Sequence, residues 1–297
     1  MFEMISDFLK TQDVKYAFGA SLRDMSTIKI GGQVSCLVYP RTAESYKRLL
    51  RYLTVEKVPY KILGRMSNIL FVRESYNIVA VKTDLMKSYA VSDNVLEAEC
   101  GVVLASVSLK LAREGYGGIS ELSGIPGSLG GLIRTCGGAF GKDISDVLLS
   151  VSVYDPEKDE LYDLKREDIA FSYRYCPIDE KLAIVGAKIL LKPCECEKIK
   201  SEIERFRSIR KSSQPIELPS LGSTFKRPPG AYAAQLIDWT GLRGRRVGGA
   251  VISEKHAGFI VNSGGASYSD VLALMKIAKD EVFELYGIDL EPEIETF

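Results

Sequence analysis

Nine of the chain's 26 glycines fall between Gly117 and Gly141, and no long helix or strand can run through a stretch so dense in them. The backbone there must turn and pack closely against neighbouring elements. Regular structure therefore has to come from the segments on either side. Upstream, Thr42 can cap a helix in which Tyr46, Leu49, Leu50 and Leu53 recur at i, i+3, i+4 and i+7. Pro59 closes that region, Tyr60 to Leu63 read as a strand entering Gly64, and Ile78 to Val81 as another. This β–α–β order predicts a small α/β unit over residues 1–85, opened by an amphipathic helix carrying Met4, Ile5, Phe8 and Leu9.

Residues 86–195 read as a strand-rich unit built on an antiparallel sheet. Val95 to Cys100 is a strand, followed by a helix with Leu104, Val107 and Leu111 inward and Gly115 as its stop. Past the glycines, Leu148 to Tyr154 and Glu160 to Leu164 flank Asp155-Pro156-Glu157-Lys158-Asp159 as a hairpin, and Leu182 to Leu191 is a further strand. Residues 196–297 form a third, α+β part. A charged helix from Lys198 to Arg210 keeps only Ile199, Ile203 and Phe206 on one face, so it lies on the surface. Ser212 to Leu221, with Pro215 and Pro219, reads as an extended linker. Then come a helix near Ala231 to Trp239, strands around Ala250 to Ile252 and Gly258 to Val261, and a long last helix. Ser269 is its expected cap, Val271, Leu274, Ala278, Val282 and Leu285 its inner face, and Gly287 its stop.

Lys plus Arg and Asp plus Glu both number 39, so the basic excess expected of a phosphate-neutralising nucleic-acid binder is absent. No apolar run approaches the ~20 residues that span a bilayer. Early acidic residues argue against a secretion signal, so a cytoplasmic protein with six reduced cysteines (36, 100, 136, 176, 194, 196) is expected. Cys194 and Cys196 resemble half a metal site, but no second Cys/His pair follows and the chain has one histidine.

Two segments look built for backbone contact with a ligand: Leu63-Gly64-Arg65-Met66-Ser67-Asn68-Ile69-Leu70, directly after a strand, and Ser123-Gly124-Ile125-Pro126-Gly127-Ser128-Leu129-Gly130-Gly131. Small residues let main-chain N–H groups face a pyrophosphate unobstructed. Taken alone, such loops are as often turns or close packing. No G-x-G-x-x-G opens a helix after a strand, and no Walker lysine is present.

The order of motifs is far more specific than any one of them. Lys29-Ile30-Gly31-Gly32, LGRMSNIL, SGIPGSLGG, Phe171-Ser172-Tyr173-Arg174, Gly222-Ser223-Thr224-Phe225, Ser253-Glu254-Lys255-His256 and Leu290-Glu291-Pro292-Glu293 follow one another from about residue 20 to the end. The succession closely resembles the UDP-N-acetylenolpyruvoylglucosamine reductase (UDP-N-acetylmuramate dehydrogenase) family. The resemblance implies a two-part FAD domain of the vanillyl-alcohol-oxidase type followed by a substrate-binding domain. With Ser223 only 49 positions after Arg174, it points to the shorter, type II form.

That resemblance implies noncovalent FAD, NADPH as hydride donor and a UDP-sugar substrate, with no protein partner. Gly64, Ser67, Asn68, Gly124, Ile125, Pro126, Gly127, Ser128, Gly130 and Gly131 would hold the cofactor. Tyr173, Arg174, Arg210 and Ser223 would meet the substrate. Arg174 would clamp its carboxylate, Ser223 would give the final proton, and Glu293 would hold or polarise the enolate. Read without the resemblance, Arg174 is a surface ion-pair arginine, Ser223 a turn serine and Glu293 a solvated tail residue. His256 reads as structural and Trp239 as core. A catalytically idle flavin- or nucleotide-sugar-binding protein of the same fold is the alternative from another class.

Three features depart from the family pattern: Met66, where glycine is usual; Cys136, where asparagine is usual; and the tail Glu293-Ile294-Glu295-Thr296-Phe297, where a basic residue and a closing glycine are usual. If position 66 needs positive φ, methionine there costs ~1–2 kcal/mol.

Overall fold

Thr42 does cap its helix. The Ala43–Val55 helix opens on a reciprocal capping box in which the Ser45 N–H and the Ser45 hydroxyl each lie 3.1 Å from their Thr42 partners. The computed structural model describes the backbone from Phe2 to Phe297 and side chains from Ile5 onward, so the expected contribution of the Met4 side chain lies outside the described residues. The chain divides into two units. The first holds residues 1–20, 34–65 and 77–207; the second holds 21–33, 66–76 and 208–297.

The first unit carries two sheets. One has the order Val14–Ser21, Gln33–Pro40, Ser75–Lys82, Tyr60–Leu63, the last two strands parallel with Leu63 opposite Lys82. Tyr46, Leu49, Leu50 and Leu53 are fully buried, as the spacing predicts, and Phe8 of the N-terminal helix stacks on Tyr52 at 3.9 Å. The strands Val14–Ser21 and Gln33–Pro40 carry no alternation clear enough to read from sequence, since the first is largely exposed and the second largely buried.

The other sheet runs Glu160–Lys165, Leu148–Asp155, Ala183–Leu190, Val95–Glu99, Tyr89–Ser92, antiparallel throughout. Its hairpin turn is tied by the Asp155 carboxylate, which accepts from the Glu157 and Lys158 N–H groups at 2.9 and 3.2 Å. The Leu104–Arg113 helix ends before Gly115 (φ 81°), which takes the left-handed conformation expected of a stop. The charged helix is longer than its pattern shows, Cys196–Ser213, but only Ile199, Ile203 and Phe206 are buried on it. The expected linker shrinks accordingly, because a strand begins at Ser220.

The second unit is a four-stranded sheet in the order Ser220–Ser223, Phe259–Asn262, Ala250–Ile252, Arg246–Val247, joined by the helices Ala233–Trp239 and Tyr268–Tyr286. Ser267, not Ser269, caps the last helix, because Asp270 stands three residues on and completes the box with it. Val271, Leu274, Ala278 and Val282 are buried, but Leu285 is 58% exposed: the last turn carries no buried residue. Gly287 (φ 66°) stops the helix. Trp239 is not core; it is 59% exposed and leans on Tyr286 at 6.1 Å. Ile28, Ile30 and Leu70, distant in sequence, pack in the core of this unit. No helix among the described residues is long and apolar enough to cross a membrane.

Candidate cofactor and substrate site

In the first unit the strand Tyr60–Leu63 delivers Gly64 against Ser128. A Cβ at Gly64 would stand 2.1 Å from Ser128 Oγ, so any side chain there displaces the Ser128 hydroxyl. Ser128 Oγ is itself buried and has no hydrogen-bond partner among the described residues. A buried hydroxyl left unpaired costs about 1–3 kcal/mol, and a ligand oxygen would satisfy it. The loop is fastened from behind by Leu129 N–H to the Val102 carbonyl at 2.7 Å and Gly130 N–H to the Cys100 carbonyl at 2.8 Å. Gly130 lies so close to Cys100 that an added Cβ would meet the Cys100 Cβ at 3.1 Å. Gly124 ends the short turn Ser120–Gly124, the Ile125 N–H closing it on the Leu122 carbonyl; Pro126 and Gly131 are exposed, and Gly127 is half-buried.

Arg174 stands in a tight turn in which Ser172 and Tyr175 exchange backbone hydrogen bonds at 2.9 and 3.1 Å. Its Nη1 donates to the Cys136 carbonyl at 3.2 Å and its Nη2 to the Gly138 carbonyl at 3.1 Å, which fixes the guanidinium plane. Tyr173, 52% exposed, offers its ring to the same guanidinium at 5.3 Å. Burial pushes the Cys136 thiol up to about 11, so it stays protonated and does not act as a nucleophile at neutral pH.

Met66 (φ 50°), Cys136 (φ 42°) and Arg174 (φ 55°) all take the left-handed conformation. Non-glycine residues seldom do so, and such strain gathers at functional sites. The condition attached to Met66 is thus met: the position does require positive φ.

In the second unit, Ser220 pairs with Val261 but Ser223 with Phe259, an extra residue on the edge strand that coincides with Gly222 at φ 79°. Such a bulge re-aims the side chain that follows it, here Ser223. The Glu293 N–H donates to the Thr224 carbonyl at 2.9 Å, and Lys226 N–H to the Glu291 carbonyl at 2.8 Å. The tail therefore runs beside the strand's continuation, and Glu293 pairs one residue past Ser223. Asn68 holds the same tail: its side-chain amide donates to the Glu293 carbonyl at 3.0 Å, and its own carbonyl accepts from Glu295 N–H at 2.9 Å. Ser67 is half-buried in the preceding bend. Arg210 is half-buried, its Nε donating to Gln214 at 3.1 Å, and desolvation lowers its guanidinium pKa. His256 is structural in its contacts: Nδ1 accepts from Gly258 N–H at 3.2 Å and the ring meets Phe259 edge-on at 4.8 Å. Burial depresses its pKa below the usual value, so it is neutral at pH 7.

Lys82 was not anticipated. Its ammonium is buried and donates to the Gly64 carbonyl at 2.9 Å. The signal was available, since a lysine directly follows the buried run Val79-Ala80-Val81.

The family described as FAD binding domain matches residues 34–164, most of them in the unit with two sheets, and this defines the protein as an FAD-binding oxidoreductase. The UDP-N-acetylenolpyruvoylglucosamine reductase C-terminal domain matches residues 214–297. UDP-N-acetylenolpyruvoylglucosamine reductases from Caldicellulosiruptor bescii and Caldanaerobacter subterraneus are 37% and 38% identical to the chain, each across 99% of it and across 93% and 98% of their own lengths. The crystal structure of the UDP-N-acetylenolpyruvylglucosamine reductase from Thermus caldophilus matches with a TM-score of 0.81 at 30% identity, covering 96% of this chain and 98% of that one. The chain belongs to the UDP-N-acetylenolpyruvoylglucosamine reductase family, oxidoreductases that use FAD and NADPH.

Proposed function

We propose that this chain reduces the enolpyruvyl group of UDP-N-acetylenolpyruvoylglucosamine to give UDP-N-acetylmuramate, in the cytoplasm, for peptidoglycan precursor synthesis, with Arg174, Ser223 and Glu293 carrying the chemistry. Noncovalent FAD, once bound and reduced by NADPH, would supply the hydride for the substrate's methylene carbon. The orphaned Ser128 hydroxyl and the side-chain-free Gly64 fit its pyrophosphate, with the 124–131 loop supplying main-chain N–H groups. Asn68 gives one amide N–H to the Glu293 carbonyl, and its second N–H and its Oδ1 can serve a cofactor contact.

Once hydride reaches the methylene carbon, negative charge develops on the neighbouring carbon and spreads into the carboxylate as an enolate. Arg174 opposes that charge: its planar fork matches a carboxylate, and the two loop carbonyls keep it oriented. Ser223 delivers the proton to the carbon. A serine hydroxyl is a weak acid, so its conjugate base needs the charged surroundings a bound substrate brings. Glu293 holds or polarises the enolate.

The observation that carries this reading is the 2.9 Å bond from Glu293 N–H to the Thr224 carbonyl, which fixes the carboxylate-bearing residue beside the one following Ser223. A turn serine and a solvated tail residue would not need to share a β pairing. The test is a two-step absorbance experiment. NADPH should bleach the yellow holoenzyme, and the enolpyruvyl sugar should then restore the colour. A protein that binds flavin but is catalytically idle fails both steps.

A further inference from the structure

Lys82 ends the strand Ser75–Lys82 with its side chain only 3% exposed. Nζ pairs with Asp84 Oδ2 at 2.8 Å and donates to the Gly64 carbonyl at 2.9 Å. Burial lowers the ammonium pKa and the Asp84 carboxylate raises it again. Sequestering an ammonium costs several kcal/mol unless its partners are well placed, and an apolar residue would continue the buried run Val79-Ala80-Val81 at no such cost. The second oxygen of that carboxylate, Asp84 Oδ1, is buried without a partner, so Asp84 is held for Lys82 and not for a network of its own.

What Lys82 controls is one peptide plane. A trans peptide is planar, with its C=O and N–H on opposite sides. Tying the Gly64 carbonyl to Lys82 turns the Arg65 N–H to the other side, and that N–H has no backbone acceptor among the described residues. The same glycine abuts Ser128, whose hydroxyl is the orphan. We infer that Lys82 is a positioning residue for the cofactor: by anchoring the Gly64 carbonyl it presents the Arg65 N–H, beside the Ser128 hydroxyl, to the FAD pyrophosphate, and it sets a buried positive charge one peptide behind that anion. The role presupposes that the Gly64–Ser128 cradle holds FAD.

Lys82→Met alone strands the Asp84 carboxylate, so the informative variant is Lys82→Met/Asp84→Asn, which removes both charges. Holoenzyme is diluted serially and the fluorescence of released flavin gives Kd; unfolding by circular dichroism is followed in parallel under excess FAD. The double variant should melt near the parent while its Kd for FAD rises about 10- to 100-fold, the range of a hydrogen bond to a charged group. Gly64→Ala, which drives a methyl into Ser128, should raise Kd as well. A double variant that releases FAD within threefold of the parent, while Gly64→Ala binds weakly, overturns the role of Lys82 and leaves the cradle standing. Unchanged Kd in Gly64→Ala overturns the cradle and the Lys82 role with it. A double variant that cannot fold even under excess FAD makes Lys82 a folding residue and also overturns the proposal.

Discussion

The side-chain amide of Asn68 donates to the main-chain carbonyl of Glu293 at 3.0 Å, joining a residue of the glycine-poor turn after Arg65 to the proposed enolate-polarising carboxylate 225 positions later. A net hydrogen bond is worth about 0.5–1.5 kcal/mol, so Asn68→Ala should slow flavin reoxidation by the enolpyruvyl substrate by about 2- to 12-fold. Stopped-flow absorbance separates the steps: bleaching by NADPH should change less than reoxidation. Asn68→Asp should be worse than Ala, because it sets a carboxylate against a carbonyl oxygen. Equal slowing of both steps would mean that Asn68 serves the cofactor and not the tail.

Arg174→Lys keeps the charge but cannot keep both carbonyl bonds, to Cys136 and Gly138, in one plane. NADPH should still bleach the flavin, while reoxidation by substrate falls by at least about 100-fold. Equal loss in both half-reactions would reassign Arg174 to holding the 136–138 loop.

For Ser223→Ala, flavin reduction should proceed at a near-normal rate, since one small hydroxyl leaves a bulged edge strand without disturbing its pairing. Reoxidation should slow by roughly 10²–10⁴-fold, the usual worth of a general acid. Cysteine at 223 should recover part of the rate, being the better acid at similar size. Unimpaired reoxidation in the alanine variant would move proton delivery to Glu293.

Met66 sets two effects against each other. Left-handed φ costs a methionine ~1–2 kcal/mol, but the residue is only 4% exposed, and deleting a buried methionine side chain costs about 2–5 kcal/mol. Burial wins. Met66→Gly should therefore lower the denaturation midpoint in urea despite relieving strain, while FAD binds as tightly or more tightly. A stabilised glycine variant would show that the side chain packs poorly.

His256 has a folded-state pKa depressed by burial, so the unfolded chain binds its proton more readily than the folded one. The folded state therefore loses stability as pH falls below the unfolded value of about 6.5, and the effect is absent above it. His256→Asn, which keeps a short acceptor for the Gly258 N–H, should lose less stability than the parent between pH 7.5 and 5.5 in urea titrations. Parallel pH profiles would place the acid sensitivity elsewhere.

Local chemistry was legible wherever a few adjacent residues sufficed to specify it. Thr42 with its apolar stripe, the Asp155 hairpin and Gly287 as a helix stop needed only their neighbours, and short-range hydrogen bonds and φ preferences made them predictable. The family, and with it the cofactor, followed from the order of seven motifs along the chain. Tertiary structure decided the rest. It drew residues 21–33 and 66–76 into the unit formed by the C-terminal segment, put Asn68 on Glu293 and Lys82 on Gly64, and left Trp239 and Leu285 in solvent. Lys82 left a trace in the apolar run before it, but none of these pairings has a local signature, since each is settled by which distant backbone or side chain arrives at the same place. A sequence states that a lysine or a tryptophan is present, but whether burial is repaid by a partner depends on packing between segments far apart in the chain.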